Sequence, residues 1–487
     1  MIAHILKNPF KHEEIFYDAL EYQDLPVDEV FEATYNYGPK EEQIIKINII
    51  VNWLQTLICR LVQSYIFPGS CKKLDDQRLV KTKHQLKAIG GRVVSLKTPD
   101  GDILEAVHLN AYDFKKSIEK YFVPLEEKET KFQSLDKFFT LKSRFCIKKS
   151  KKNIFSYNYL VPNKEAEQFI EHLRGLKFAS WSSEAPFPVR GQSALEKGKD
   201  FFTSFFYSKI RGPKLGLHSF PIEKAAPVIS KNSTSNPTVI ICGGNNSCYG
   251  SYKGYASFFL TKGMNVILFN PRGYGKSTGI PTSHKTNLDL ETVYQYLSKE
   301  KKVSNEDILV YGHCLGGGLS TDLVARRAGI NIIVDRSFSN LKDLIKSDAE
   351  DLIHKKVEKI TQSSPIYYKI SKYLINQETV KNFANLISKA ISYSVDYDNI
   401  KNLNKARGNI AFVIDEKDDV IPMDHQNKQR NFSTKNRVIT TKSGHNNPWI
   451  DTDDKEVFSE NYDKNVYKAS AKFNEILLQF GFYRKIF

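Results

Sequence analysis

Gly312-His313-Cys314-Leu315-Gly316 places a cysteine between glycines, after an apolar run and before a helical stretch. In so tight a strand-to-helix turn, side chains at the flanks would clash with the neighbouring strand or helix. The central residue is thrust out at the edge of the sheet and stands at a helix N-terminus, where the dipole favours an anion. A thiolate there could attack an acyl carbonyl. Glycine-rich turns of this kind also bind phosphates, so the companions of Cys314 decide its chemistry. Asp415-Glu416-Lys417-Asp418-Asp419 follows a later apolar run, and Ser443-Gly444-His445-Asn446 follows the next. Nucleophile, acid and histidine thus come in the chain order of a triad built on a parallel sheet. In that scheme His445 takes the proton of Cys314 and later activates water or another acceptor, and an aspartate fixes the imidazole tautomer.

The elements that must hold these residues are legible as short apolar runs. Thr238–Cys242, Asn265–Phe269, Asp307–Tyr311, Asn331–Asp335 and Asn409–Ile414 are five, and Arg437–Thr440 is a plausible sixth. Helical stretches separate most of them, and a helix of about 465–480 ends the series. The expectation is an α/β fold, a mainly parallel sheet covered by helices on both faces. Upstream, Arg92–His108 alternates around a Pro99-Asp100-Gly101 turn and reads as a hairpin.

These motifs resemble the α/β-hydrolase superfamily, here with cysteine where serine is usual. Gly243-Gly244-Asn245 occupies the place of the family's oxyanion loop, and Asn270-x-Arg272-Gly273-x-Gly275-x-Ser277-x-Gly279 is similar to its strand-and-loop element. The likeness covers about 90–112 and 236–487. It implies that the backbone N–H groups of Leu315 and Asn245 bind the oxyanion. It also favours Asp418 over Asp415 and Asp419, because Asp418-x-x-Ile421-Pro422 matches the family's acid loop, although Asp415 stands where glycine is frequent. Within the superfamily the chain looks most like bacterial hydrolases grouped with the chlamydial 43 kDa protein family and related secreted effectors.

A length of 487 residues with 41% hydrophobic and 26% charged residues excludes wholesale disorder, collagen-like repeats and a coiled-coil rod. The division expected is a helical N-terminal region at 1–89, the hairpin at 90–112, a basic insertion at 113–236 and the hydrolase core at 237–487, with a lid at about 340–400. A net charge of +16 favours anionic partners, a membrane surface among them, unless it only decorates the surface. Lys142, Arg144, Lys148, Lys149, Lys151 and Lys152 form a basic cluster. No nucleic-acid-binding motif accompanies the charge, so nucleic acid is not an expected partner. Residues 47–67 have helical apolar spacing, but Asn52, Gln55, Arg60, Gln63 and Ser64 interrupt it. That marks an amphipathic helix, packed on the core or docked on a membrane or partner, rather than a span.

Six cysteines with no CxxC pair suggest a reducing compartment. The start lacks a Sec-type signal, so the expected location is cytoplasmic, peripheral to a membrane, or a host cell reached by another route. Cys242 reads as a small buried hydrophobe. His313 and Arg272 read as structural hydrogen-bonding residues. His218 and His284 lack metal-ligand partners at useful spacing, so neither a metal nor a cofactor is expected. The function expected is acyl hydrolysis or transfer through an acyl-cysteine, on an ester or thioester substrate. The alternatives are a non-catalytic binding protein on a hydrolase scaffold, or an anionic-membrane-binding protein.

Overall fold

A computed structural model describes residues 24–34, 66–67, 76–124, 160–162, 236–363, 395–432, 437–447, 449, 464–482 and scattered positions within 378–388. The basic cluster at 142–152, most of the insertion, and most of the run at 47–67 lie outside the described residues. The last two residues of that run, Ile66 and Phe67, are buried in the core.

Among the described residues, nine strands form one sheet. They are β1 (Glu29–Glu32), β2 (Gly91–Lys97), β3 (Ile103–Leu109), β6 (Thr238–Cys242), β7 (Asn265–Phe269), β8 (Ile308–His313), β9 (Asn331–Asp335), β10 (Ile410–Asp415) and β11 (Val438–Thr441). A separate pair, β4 (Phe122–Pro124) and β5 (Leu160–Pro162), lies within the insertion. The order in the large sheet is β1-β2-β3-β7-β6-β8-β9-β10-β11, and only the two pairings made by β3 are antiparallel. Every residue of β6, β7, β8 and β9 is buried, which is why their sequences read as unbroken apolar runs rather than alternations. Burying each Val, Leu or Ile stabilises the sheet by about 1.5–3 kcal/mol.

The hairpin pairs all seven residues of β2 with β3 about the Pro99-Asp100-Gly101 turn. The ends of β6, β7 and β9 coincide with the expected ones, and those of β8, β10 and β11 differ by one or two residues. One difference is larger. Glu29–Glu32, expected within a helical region, forms an edge strand parallel to β2. The four residues are too few for a periodic signal, and the open edge of β2 supplies their hydrogen bonds.

Helices cover the sheet: α1 (Asp76–Ala88), α2 (Ala111–Tyr121), α3 (Lys253–Thr261), α4 (Ser283–Gln295), α5 (Leu315–Arg326), α6 (Leu341–Ser363), α7 (Asn399–Leu403), α8 (Met423–Arg430) and α9 (Lys464–Gln479). Fully buried Arg272 ties the hairpin turn to α4 through Asp100 (2.7 Å), Asp102 (2.9 Å) and Asp289 (2.7 Å). The expected lid segment leaves and re-enters the core at one point. Asn340 bridges Asp398 antiparallel, and Leu341 N–H donates to the Tyr397 carbonyl at 2.9 Å.

The chain runs from β6 outward to β7 and then returns to β8 on the other side of β6. At such a reversal the loops after adjacent strands part and leave a crevice at the C-terminal strand ends. Cys242 and His313 end the two strands that flank it.

Candidate active site

Cys314 follows β8 and precedes α5, with φ +53° and ψ −117°. This left-handed backbone is costly for a residue with a side chain. Its carbonyl accepts from Ser337 Oγ (2.7 Å), and its N–H donates to the Asp335 carbonyl (3.0 Å). The flanking glycines are sterically required. A Cβ on Gly312 would lie 2.6 Å from the Gly316 carbonyl oxygen, and one on Gly316 would lie 2.2 Å from that of Cys242.

His445 lies on the loop after β11, and Asp418 on the loop after β10. His445 Nδ1 is 2.9 Å and 3.0 Å from the two Asp418 carboxylate oxygens. Asp418 Oδ1 also accepts from the N–H groups of Val420 (2.9 Å) and Ile421 (2.8 Å), and Oδ2 from Gln426 Nε2 (3.2 Å). Both side chains are buried, the imidazole 4% exposed and the carboxylate 1%. The Cys314 side chain hydrogen-bonds the same imidazole. Burial opposes a charge on His445, yet the electrostatic pull of Cys314 and the hydrogen-bonded Asp418 carboxylate outweigh it and raise its pKa to about 10. The three residues expected to act together are therefore brought together.

Asp415 and Asp419 are placed differently. Asp415 Oδ2 accepts from Thr441 Oγ1 (2.6 Å), Ser443 N–H (2.7 Å) and Gly444 N–H (3.1 Å), so this carboxylate anchors the start of the His445 loop. Asp419 is exposed.

The loop after β6 borders Cys314. A Cβ on Gly244 would lie 3.4 Å from Cys314 Cβ, and Leu315 opens α5 beside it. Tyr274 Oη donates to the Asn245 carbonyl at 2.6 Å and holds that stretch of loop. Gly244 N–H donates to Tyr252 Oη at 2.6 Å. The Tyr252 hydroxyl donates to His313 Nδ1 at 2.9 Å, because His313 Nε2–H donates to the His445 carbonyl at 3.2 Å. Burial, helped by the Arg336 charge, lowers the His313 pKa to about 3 and keeps that ring neutral. Three hydrogen bonds in series thus join the Gly244 loop to the His445 loop. Cys242, by contrast, is fully buried and its thiol is pushed up to about 12.

Sequence reasoning missed Tyr252, Asp335, Arg336 and Trp449. The one available signal was the Asp335-Arg336 pair at the C-terminal end of an apolar run, where the sheet presents its functional side chains.

A family model described as alpha/beta hydrolase fold matches residues 237–335. The protein bem46 of Schizosaccharomyces pombe is 32% identical over 119 residues, 24% of this chain and 40% of its own. The lysophosphatidylserine lipase ABHD12 of Danio rerio is 23% identical over 190 residues, 35% of this chain and 48% of its own. The chain spans less than half the length of either relative. Among solved structures, the esterase Pf2001 of Pyrococcus furiosus aligns with a TM-score of 0.35 and 19% identity, over 51% of this chain and 83% of the esterase. The matched segment runs from β6 to β9 and includes the turn that carries Cys314, and with the sheet order and crossover at β6 it makes the core of this chain an α/β-hydrolase fold.

Proposed function

We propose that the protein hydrolyses or transfers acyl groups through an acyl-cysteine intermediate. The observation that carries this reading is the contact of His445 with both Cys314 and Asp418 at the C-terminal edge of the sheet. Cys314 attacks the acyl carbonyl of an ester or thioester as thiolate. The His445 imidazolium protonates the leaving group, then the neutral ring takes a proton from water or another acceptor as it attacks the thioester. Asp418 stabilises the imidazolium and holds Nδ1–H, leaving Nε2 for the sulfur. The N–H groups of Leu315 and Asn245 receive the oxyanion, each worth about 2.7–4 kcal/mol of barrier in a comparable site. The likeness to a lysophosphatidylserine lipase supports ester or lipid substrates.

Intact-mass measurement after incubation with a panel of acyl esters and thioesters tests the reading. One acyl adduct that disappears in Cys314→Ala is expected. An unmodified wild-type chain that turns over no substrate favours instead a binding protein on this scaffold.

A second reading rests on the +16 charge. Reversible association with anionic membranes would bring the site to lipid-borne acyl groups, as in a peripheral enzyme or an effector working in a host cell. Co-sedimentation with phosphatidylserine vesicles that fades as salt rises is the expected result. Equal recovery with neutral vesicles would leave the charge as surface decoration.

A further inference from the structure

The loop that carries His445 rests on a buried ion pair at the end of β9. Arg336, 1% exposed, has φ +44°, a conformation rare outside glycine. Its guanidinium is fully engaged. Nε donates to Asp335 Oδ1 at 2.7 Å, and Nη2 to Asp335 Oδ2 at 3.1 Å and Tyr255 Oη at 3.4 Å. Nη1 donates to two backbone carbonyls, Gly444 at 2.6 Å and Asn447 at 2.8 Å, which stand on either side of His445. Asp335 Oδ2 in turn accepts from Trp449 Nε1 at 2.9 Å and from the Tyr311 hydroxyl. Three points of the 444–449 segment are therefore tied to two adjacent residues of β9 and its following turn.

We propose that Arg336, oriented by Asp335, is a positioning residue for the acyl chemistry, holding the His445 loop so that the imidazole stays between Cys314 and Asp418. This rests on the acyl-cysteine reading above. Solvent supplies no competing hydrogen bonds at this depth, so the loop's carbonyls depend on the guanidinium. A planar fork serves Asp335 and both carbonyls at once. A lysine ammonium is a single point and cannot.

The side chain does not touch the reacting atoms, so its removal slows the chemical step without weakening substrate binding. Displacing a catalytic group by about 1 Å costs roughly 100-fold in rate. Arg336→Gln should therefore lower kcat for a p-nitrophenyl ester by roughly that factor, with KM unchanged, and Arg336→Lys should recover only part of the loss. The alkaline limb of kcat/KM reports the loss of the His445 proton. It should move from about 10 toward the ordinary 6.5 as the imidazole leaves its two partners. A purely structural residue would lower thermal stability and leave that limb in place.

Removing Arg336 strands the Asp335 charge in the interior. If Arg336→Gln fails to fold, Asp335→Asn with Arg336→Gln removes both charges and gives the same readings. Wild-type kcat and an unmoved alkaline limb in folded variants, with Cys314→Ala inactive, overturn the role of Arg336 alone. Full activity in Cys314→Ala overturns the acyl-cysteine reading instead.

Discussion

The imidazole of His313 lies against that of His445, with ring centroids 5.1 Å apart, and donates through Nε2 to the His445 backbone carbonyl. One ring is held neutral and the other is stabilised as a cation, although both are buried. The difference comes from their partners. His313 meets a phenol and a carbonyl, whereas His445 meets the Cys314 sulfur and a carboxylate.

That contrast gives the two rings opposite pH signatures in stability. The folded pKa of His313 lies below its ordinary 6.5, near 3, so its contribution is complete above pH 6.5 and lost as pH falls toward 3. The folded pKa of His445 lies above 6.5, near 10, so its contribution is complete below pH 6.5 and lost as pH rises through 10. Urea unfolding between pH 6.5 and about 4 should show wild type losing stability more steeply than His313→Asn, by up to about 1.4 kcal/mol per pH unit. Parallel slopes would mean that His313 is charged in the folded protein.

Replacing Cys314 with alanine should abolish turnover while the fold survives, because only one sulfur atom is removed and the Cβ is kept. Cys314→Ser should keep weak esterase activity, since serine fits the same turn. Ester hydrolysis and near-ultraviolet circular dichroism, read together, check both. Full activity in the alanine variant would remove Cys314 from the chemistry.

Asp418→Asn should lower kcat by about 10⁴-fold with little change in melting temperature, as neutralising a triad aspartate does elsewhere. Asp415→Ala should do the reverse. It deletes four hydrogen bonds to a buried carboxylate, each worth about 1.5–3 kcal/mol, and should show mainly as lost stability. Should Asp415→Asn prove the slowest enzyme among well-folded variants of the three acids, the acid would have to be reassigned.

Tyr252→Phe removes the hydroxyl shared by Gly244 N–H and His313. It should leave a half-buried donor unpaired at about 1–3 kcal/mol and slow acylation roughly tenfold or more as the oxyanion loop loosens. Single-turnover kinetics separate acylation from deacylation. An unchanged acylation rate would show that the loop keeps its position without the tyrosine.

Gly316→Ala should prevent the native turn from forming, since the new methyl would sit 2.2 Å from the Cys242 carbonyl oxygen, on backbone that cannot yield. A loss of about 3 kcal/mol or more is expected in thermal melts. Gly101→Ala has open space around it, so its cost should come only from φ +90°.

The buried parallel strands were legible because burial on both faces writes itself as unbroken apolar sequence, as in Val239-Ile240-Ile241. The turn at Cys314 was legible because its glycines have no substitute. Glu29–Glu32 was not, since its strand state comes from the edge of β2 rather than from its own residues. The choice among three aspartates was open in the residues themselves. Only the fold shows Asp418 against His445 and Asp415 spent on backbone N–H groups. Tyr252 left no local signal, because its partners lie on other elements, and the Asp335-Arg336 pair marked a strand end without showing which distant carbonyls it would hold.

The bridge between Asn340 and Asp398 makes the intervening segment an exchangeable cassette. Its two ends already sit at strand-pairing distance, so a two-residue turn could close the gap in its place with little strain on β9 or β10. Lengthening it is also inexpensive, since each doubling of a flexible loop costs only about 0.6 kcal/mol. A protein engineer can therefore shorten, extend or replace that segment without moving the points at which the chain leaves and rejoins the core.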